Sequence, residues 1–413
     1  MKNTLATFPG PLQLESLYGN VKLPFYRNAN GHIHTPFSFS AFSSVDEAFI
    51  LAEKEKIDVL GINDFYVTDG YADFYDNALK HSIFPLFNIE FIGLLVDEQK
   101  SGTRINDPNN PGRIYFCGKG LDFPFHLEES NRLLLDSVKQ ETQSQLQAMT
   151  VKLSSLVREV NDALVLNFDD IKRKYARELV RERHLAKALR IIAEEAYSNS
   201  GERKLFYRGL FGNTDPKSGM NDASALENEI RSKLLKAGGK AFVEEDVKSF
   251  LGLDIITAII KDAGGIPCYP VLLDDPSGKC TEFESDPEKL YSKLVSAGVN
   301  CIELIPGRND ARVLEEFVSF FDKKGFIVTF GTEHNAPEMI PLTVTARGGV
   351  SLNNYLSEVN WKGVCTIAAH QYLRANNREG FTASMNTLGG FSRGSFARLG
   401  QLVIEHYLRT FRK

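Results

Sequence analysis

The hydrophobic period changes twice along this chain, and those changes limit the fold more than any single motif. From residue 28 to residue 96, strand-like and helix-like stretches alternate: NGHIH, then SVDEAFILAEKEK, then IDVLGIND, GYADFYDNALKHS and IFPLFNIEFIGLLV. Ser44 stands at an N-cap position with Glu47 three residues on, the spacing of a capping box. The same rhythm returns from about residue 246, through IPCYPVLL, VNCIELIP and FIVTFGTEHN, each strand separated from the next by a helical pattern. Strands alternating with helices at this spacing imply parallel strands joined by right-handed crossovers. No GxGxxG follows the first strand, so a dinucleotide-binding open sheet is disfavoured and a barrel is the better reading.

The block between, residues 99–245, reads differently. RIYFCGKG is one further strand candidate, but the rest is mainly helical. Leu134, Val138, Leu146, Met149, Leu153, Leu156 and Val160 fall roughly on one stripe of a long helix. The expected organisation is therefore a barrel in two parts, residues 1–98 and 246–345, split by a helical insertion or lid at 99–245. A C-terminal extension, 346–413, ends in an amphipathic helix. A packing domain with no part in chemistry is the plainer reading of the insertion.

Gross composition narrows the partners. Lys and Arg number 48 against 53 Asp and Glu, a net charge of −5, so nothing points to nucleic acid or an acidic membrane surface. No apolar run is long enough to span a bilayer, and the N-terminal stretch lacks a signal-peptide core. The five cysteines are odd in number and contain no CxxC, which suits free thiols in a reducing, cytoplasmic setting. A small-molecule substrate is expected. Oligomeric state is not legible.

Chemistry-bearing residues gather at the strand ends. His32 and His34 are two apart, so on a strand both imidazoles face one side and can meet at one ion. A pair of strand-end histidines making ordinary hydrogen bonds is the alternative. Asp64, Glu90, Tyr269, Glu303 and the run Glu333-His334-Asn335 follow at the ends of later strands. In a β/α barrel those ends share the face on which sites are built. Two imidazoles with carboxylates suit Zn, Mn or Fe.

The order HxH, INDF, IEF, GGIPCYP, IELIP, GTEH resembles the PHP (polymerase and histidinol phosphatase) family. The resemblance covers about residues 28–90 and 254–335. It implies a distorted seven-stranded β/α barrel with a helical insertion and a metal-dependent hydrolase, in particular a phosphoesterase acting on a small phosphorylated metabolite. The matching positions His32, His34, Glu90 and Glu333 would surround one divalent ion. Departures are specific. Phe39 stands near the family's Asp, Phe65 replaces the His of TDH, Tyr269 replaces the His of AHP, and Glu333 takes the place of an Asp. One ion is therefore expected rather than three. The same departures leave open a degenerate barrel that binds without catalysing, or an enzyme acting on an unphosphorylated sugar.

Proton-relay candidates are His334, His370, Asp64 and Tyr269, with Asp64 alternatively orienting a ligand histidine. RERHLAKAL is similar to a run in the insertion of the family's nucleotide phosphatases, and makes Arg183 and His184 substrate-binding candidates. Arg308 after IELIP is another. Arg393, in the glycine-rich NTLGGFSRGSF, is the last, its backbone neighbours able to hold an anion at a helix start. A solvated helix face and a flexible connection are the plain readings of those two segments.

Overall fold

The computed structural model describes residues 3–19, 21, 23–274, 278–381 and 393–412, with Arg393 described by its backbone alone. Seven strands form one sheet whose spatial order follows the chain: β1 (Ala29–Ile33), β2 (Val59–Phe65), β3 (Phe84–Leu94), β4 (Arg113–Lys119), β5 (Ile266–Val271), β6 (Cys301–Leu304) and β7 (Ile327–Phe330). All neighbours are parallel except β4, which runs antiparallel to both β3 and β5. A parallel neighbour needs a long crossover, and only about twenty residues separate β3 from β4. Those residues carry just the short helix Val96–Ser101.

The sheet nearly closes between β1 and β7. His34 N donates to Glu333 O at 2.7 Å, and Glu333 N donates to His32 O at 3.0 Å. Lower on the seam, the amide of Asn360 accepts from Phe330 N at 2.8 Å and donates to Ala29 O at 3.1 Å. Gly331 is required here, because a Cβ at that position would stand 2.3 Å from the His32 Cβ. The fold is thus an α/β barrel of seven strands with a helical insertion.

Alternation along each strand sorts the side chains into two layers. Val45, Phe49, Phe74, Leu290, Phe317 and Phe321 from the surrounding helices bury against the outward faces of the strands, with Leu60, Ile62, Ile302 and Val328. Each such fully buried side chain contributes about 1.5–3 kcal/mol relative to exposure. Ser44 caps its helix as the sequence suggests, its hydroxyl accepting from Glu47 N, but Glu47 returns its carboxylate to Ser43 rather than Ser44.

The strand expected at RIYFCGKG is β4 and belongs to the barrel. The following helix, Glu129–Val160, joins two cores. Leu135 and Val138 pack with the barrel, while Leu146, Met149, Leu153 and Val157 pack with Leu185, Leu189, Phe206 and Tyr207 in a separate apolar cluster spanning residues 146–241. The buried stripe therefore uses Leu135 and Val157, not Leu134 and Val160, which are exposed. At the C-terminal end of the chain, helices Asn354–Ala375 and Arg393–Phe411 pack together over the end of the barrel opposite the histidine pair. Gln371 stitches that end to β3, accepting from Phe87 N and donating to Pro85 O. Among the described residues no helix is long and apolar enough to cross a membrane.

Candidate metal centre

β1 points His32 into the barrel and leaves His34 at the mouth, one strand repeat higher. Both rings are buried. His32 Nδ1 lies 2.7 Å from Glu303 Oε1. The charge of Lys119 holds that carboxyl down at about 2 against the cost of burial, so it only accepts and Nδ1 carries the hydrogen. His34 Nδ1 lies 3.2 Å from Ser38 Oγ, whose own hydrogen goes to Asp64 Oδ1 at 2.6 Å. Ser38 therefore accepts from His34 Nδ1. Burial keeps the His34 ring neutral, its pKa brought down to about 4.

The two Nε2 atoms are left to accept, and they face each other at 3.2 Å, with Asn63 Nδ2 3.1 Å from that of His32. Glu90 Oε2 stands 3.1 Å from His34 Nε2 and 3.6 Å from His32 Nε2. That oxygen is buried and without a hydrogen-bond partner among the described residues. Burial, with the charges of Glu333 and Glu303 behind it, pushes the Glu90 carboxyl up to about 8. Three acceptors facing one point repel unless a cation lies between them. A proton on Glu90 could serve His34 and the Asn63 amide reaches His32 Nε2 at 3.1 Å, yet the two Nε2 atoms still oppose each other at 3.2 Å.

The three separations fit a divalent ion. Ligands about 2.1 Å from a tetrahedral centre lie about 3.4 Å apart, and these lie 3.1, 3.2 and 3.6 Å apart. Among the described residues, His32, His34 and Glu90 form one of two groups of ligand atoms close enough to hold an ion; the other is His32, Cys117 and Glu303.

The remaining sequence candidates divide sharply. Glu333 does not join the ligand group. Its carboxylate is taken by Arg308 and by Asn335 Nδ2, and its backbone, at φ 65°, makes the turn that closes the barrel. Its charge still bears on both histidines. Asp64 alternates with Asn63 and Phe65, so it points away from the barrel interior. It accepts from Thr35 N, Thr35 Oγ1 and Ser38 Oγ, and orients His34 from behind. Tyr269 also lies on the outward face, donating to Glu284 Oε1 at 2.8 Å. His334 turns away at φ 57° and spends its nitrogens on Thr332 Oγ1 and Ile340 O. His370 lies at the opposite end of the barrel, bonded to Gly264 O and Phe381 N. Tyr269, His334 and His370 thus fall outside the centre, by strand parity, by the left-handed turn after β7 and by helix placement respectively, while Asp64 acts on it through Ser38.

The centre opens on a cavity of about 1060 Å³ between barrel and insertion, lined among others by Phe39, Phe65, Tyr115, Arg181, Arg183 and Arg308. Leu179 N donates to Phe37 O at 3.1 Å, which clips the insertion to the loop after His34. From there Arg181 lies over the Phe65 ring at 4.3 Å, and Phe65 stacks on His34 at 4.7 Å. Arg183 lies over Phe39 and donates to Asn228. No ion pair joins Arg181 or Arg183 to a carboxylate at contact distance among the described residues, while Arg231 and Lys236 are tied to Glu182. His184 does not line the cavity. It is buried edge-on to Phe39, and its Nδ1 accepts from Arg181 N at the helix start. The side chain of Arg393 and the glycines before it lie outside the described residues.

Sequence reading missed Lys119, Cys117, Asn63 and Arg181. The first two sit two apart on β4, and a lysine at an interior-facing position of an otherwise apolar strand is the signal that could have found them. Arg181 is the first residue of the RERHLAKAL run, and only the fold shows which of its arginines face the cavity.

No protein-family model and no curated protein matches this chain. Among solved structures, a proposed metal-dependent phosphoesterase from Bifidobacterium adolescentis is similar at a TM-score of 0.49 and 16% identity, over 81% of this chain and 95% of that one. An amidohydrolase from Chromobacterium violaceum, solved with sulfate and no metal, is similar at 0.49 and 17%, over 81% and 96%. At such values a reading of function has to come from the side chains of the centre.

Proposed function

We propose that this chain is a cytoplasmic, PHP-like hydrolase that uses one divalent ion to cleave a phosphate ester of a small metabolite. The observation that carries the reading is the convergence of two Nε2 lone pairs and an unpartnered buried carboxylate oxygen on one point at the mouth of a cavity. A divalent ion held there would supply Lewis acidity toward a phosphoryl oxygen and toward water. The chain's own groups do the rest. Glu303 and the Ser38–Asp64 pair keep hydrogens on both Nδ1 atoms, so both Nε2 atoms stay available. Arg181 and Arg183 offer guanidinium forks to an anion on the cavity side, where their charge is not spent on carboxylates. The ring of Phe65 fixes Arg181 over the centre and keeps water from one side of His34.

A second reading, a barrel that binds a phosphorylated ligand without cleaving it, draws on Phe39 and Phe65 standing where the resemblance expects ligands. Metal content and turnover separate the two. The purified protein is expected to hold one Zn, Mn or Fe per chain by plasma mass spectrometry, lost in His32→Ala/His34→Ala, and to hydrolyse p-nitrophenyl phosphate when that metal is supplied. Metal without turnover on a panel of phosphate esters would favour the binding barrel. No metal after supplementation would overturn both.

A further inference from the structure

We infer that Lys119 is a built-in cation that holds this centre to a single divalent ion. The inference rests on the one-ion reading above. The second group of ligand atoms, His32 Nδ1, Cys117 Sγ and Glu303 Oε1, lies directly beneath the first and shares His32 with it. Cys117 Sγ is 3.8 Å from Glu303 Oε1. On spacing alone the barrel floor is a second metal site, with a thiol, an imidazole and a carboxylate from three different strands.

The space beside it is already taken by positive charge. β4 runs antiparallel, so its C-terminal residue enters from the closed end of the barrel and rises toward Glu303. Lys119 is fully buried. Its Nζ donates to Glu303 Oε2 at 2.5 Å and to Asn63 Oδ1 at 3.1 Å. Asn63 in turn directs its Nδ2 toward Cys117 Sγ at 3.4 Å, a donor aimed at the sulfur a metal would need.

The charges around the centre then come to one divalent ion. Four carboxylates surround it: Asp64, Glu90, Glu303 and Glu333. Lys119 neutralises Glu303 and Arg308 neutralises Glu333. Asp64 and Glu90 remain, two negative charges, which one divalent ion matches, while the charge of Arg181 over Phe65 is left for an anionic substrate. A second divalent ion on the floor would share Glu303 with a buried ammonium and would have to displace the hydrogens of the Cys117 thiol and of His32 Nδ1 beside that charge, and low-dielectric repulsion would exclude it. Removing the ammonium frees Glu303 and returns a net negative charge to the floor, so the Cys117 group becomes a site for a soft divalent ion, which binds by displacing to solvent the hydrogens of the Cys117 thiol and of His32 Nδ1, His32 then bridging as imidazolate.

The test is cadmium stoichiometry on the full chain, by equilibrium dialysis and plasma mass spectrometry, with the ultraviolet thiolate-to-cadmium band as a second readout. The wild type is expected to bind one cadmium without that band. Lys119→Met is expected to bind two and show the band, and Lys119→Met/Cys117→Ser to lose the band. Lys119→Arg, which keeps the charge, should stay at one. If Lys119→Met is not recovered folded, Lys119→Gln is measured instead, since it removes the charge yet can still donate to Glu303 or Asn63. One cadmium without the band in the charge-removed variant overturns the inference and leaves the one-ion hydrolase standing. Two in the wild type overturns the inference as well. None in the wild type, with loss of phosphatase turnover, overturns the one-ion reading itself.

Discussion

The two ends of the barrel each bury histidine, and they treat it in opposite ways. At the closed end His370 is complete. Its Nε2 donates to Gly264 O at 2.6 Å and its Nδ1 accepts from Phe381 N at 2.9 Å, so each nitrogen has a backbone partner. At the open end Asn63 Nδ2 reaches His32 Nε2 at 3.1 Å, but the Nε2 atoms of His32 and His34 still face each other at 3.2 Å beside a carboxylate oxygen that nothing satisfies. Buried polar atoms in a folded protein are nearly all paired. A histidine that finishes its bonding within the protein is structural, and a pair left unfinished at one point is the signature of something to be bound. Burial alone does not separate the cases, since all three rings are buried.

That contrast can be broken at either end. The largest effect is expected from His32→Ala/His34→Ala, which should abolish metal binding and lower phosphoester hydrolysis about 10³-fold, because several kcal/mol of Lewis-acid stabilisation is removed. His370→Gln should leave metal content at the wild-type value. Retained metal in the double variant, or its loss in His370→Gln, would erase the distinction.

Acid bears on both ends, since burial brings His34 down to about 4 as well, and His370→Gln isolates the share of the closed end. Burial brings the His370 pKa down from 6.5 to about 4. The unfolded chain therefore binds a proton there at higher pH than the folded one. The stability this ring contributes is fully present above pH 6.5 and is lost as pH falls through about 4. Full loss corresponds to about 3 kcal/mol. Urea unfolding at pH 7 and at pH 4.5 should show the difference, and His370→Gln should flatten that part of the pH dependence.

Smaller effects sharpen the reading of the open end. Arg181→Ala removes a charge-assisted contact worth about 2 kcal/mol, so KM for a phosphate ester should rise about 30-fold. Metal content should not change, and loss of metal would show that Arg181 holds the centre together rather than the substrate. Ser38→Ala removes the acceptor that fixes the His34 tautomer and should weaken metal affinity about 10-fold, read by competition with a chelating dye. Unchanged affinity would remove Ser38 and Asp64 from the account.

Much of the barrel was legible because its signal is local. Period-2 stretches such as VLGINDF and period-3.6 stretches such as the helix Val45–Lys54 declare themselves within ten residues. His32, His34 and Glu90 were legible for the same reason, as polar residues interrupting apolar strand ends. What failed depended on parity or distance. Tyr269 is on the outward face, since a shift of one residue in strand phase reverses every side chain, and Asp64, outward as well, takes its alternative role of orienting His34 through Ser38. The resemblance makes Glu333 a ligand, but its partner Arg308 sits 25 residues away in the chain and nothing local announces the pairing. Lys119 was passed over because β4 follows a loop and precedes a long helix, and its interior lysine makes sense only beside a carboxylate 184 residues further on.

The seam between first and last strand has a consequence for how the centre comes into being. His32, His34 and Glu90 all lie on β1 and β3, so the ligand set is complete once the first ninety residues have left the ribosome. The carboxylate that fixes the His32 tautomer arrives 271 residues after that histidine, and Glu333, which zips β7 to β1, comes later still. Contacts of such long range form late. A growing chain therefore carries Ser38 and Asp64, which aim His34, together with the three binding groups, but it carries the means to aim His32 only much later, and selection of the His32 tautomer is an event of barrel closure rather than of early folding.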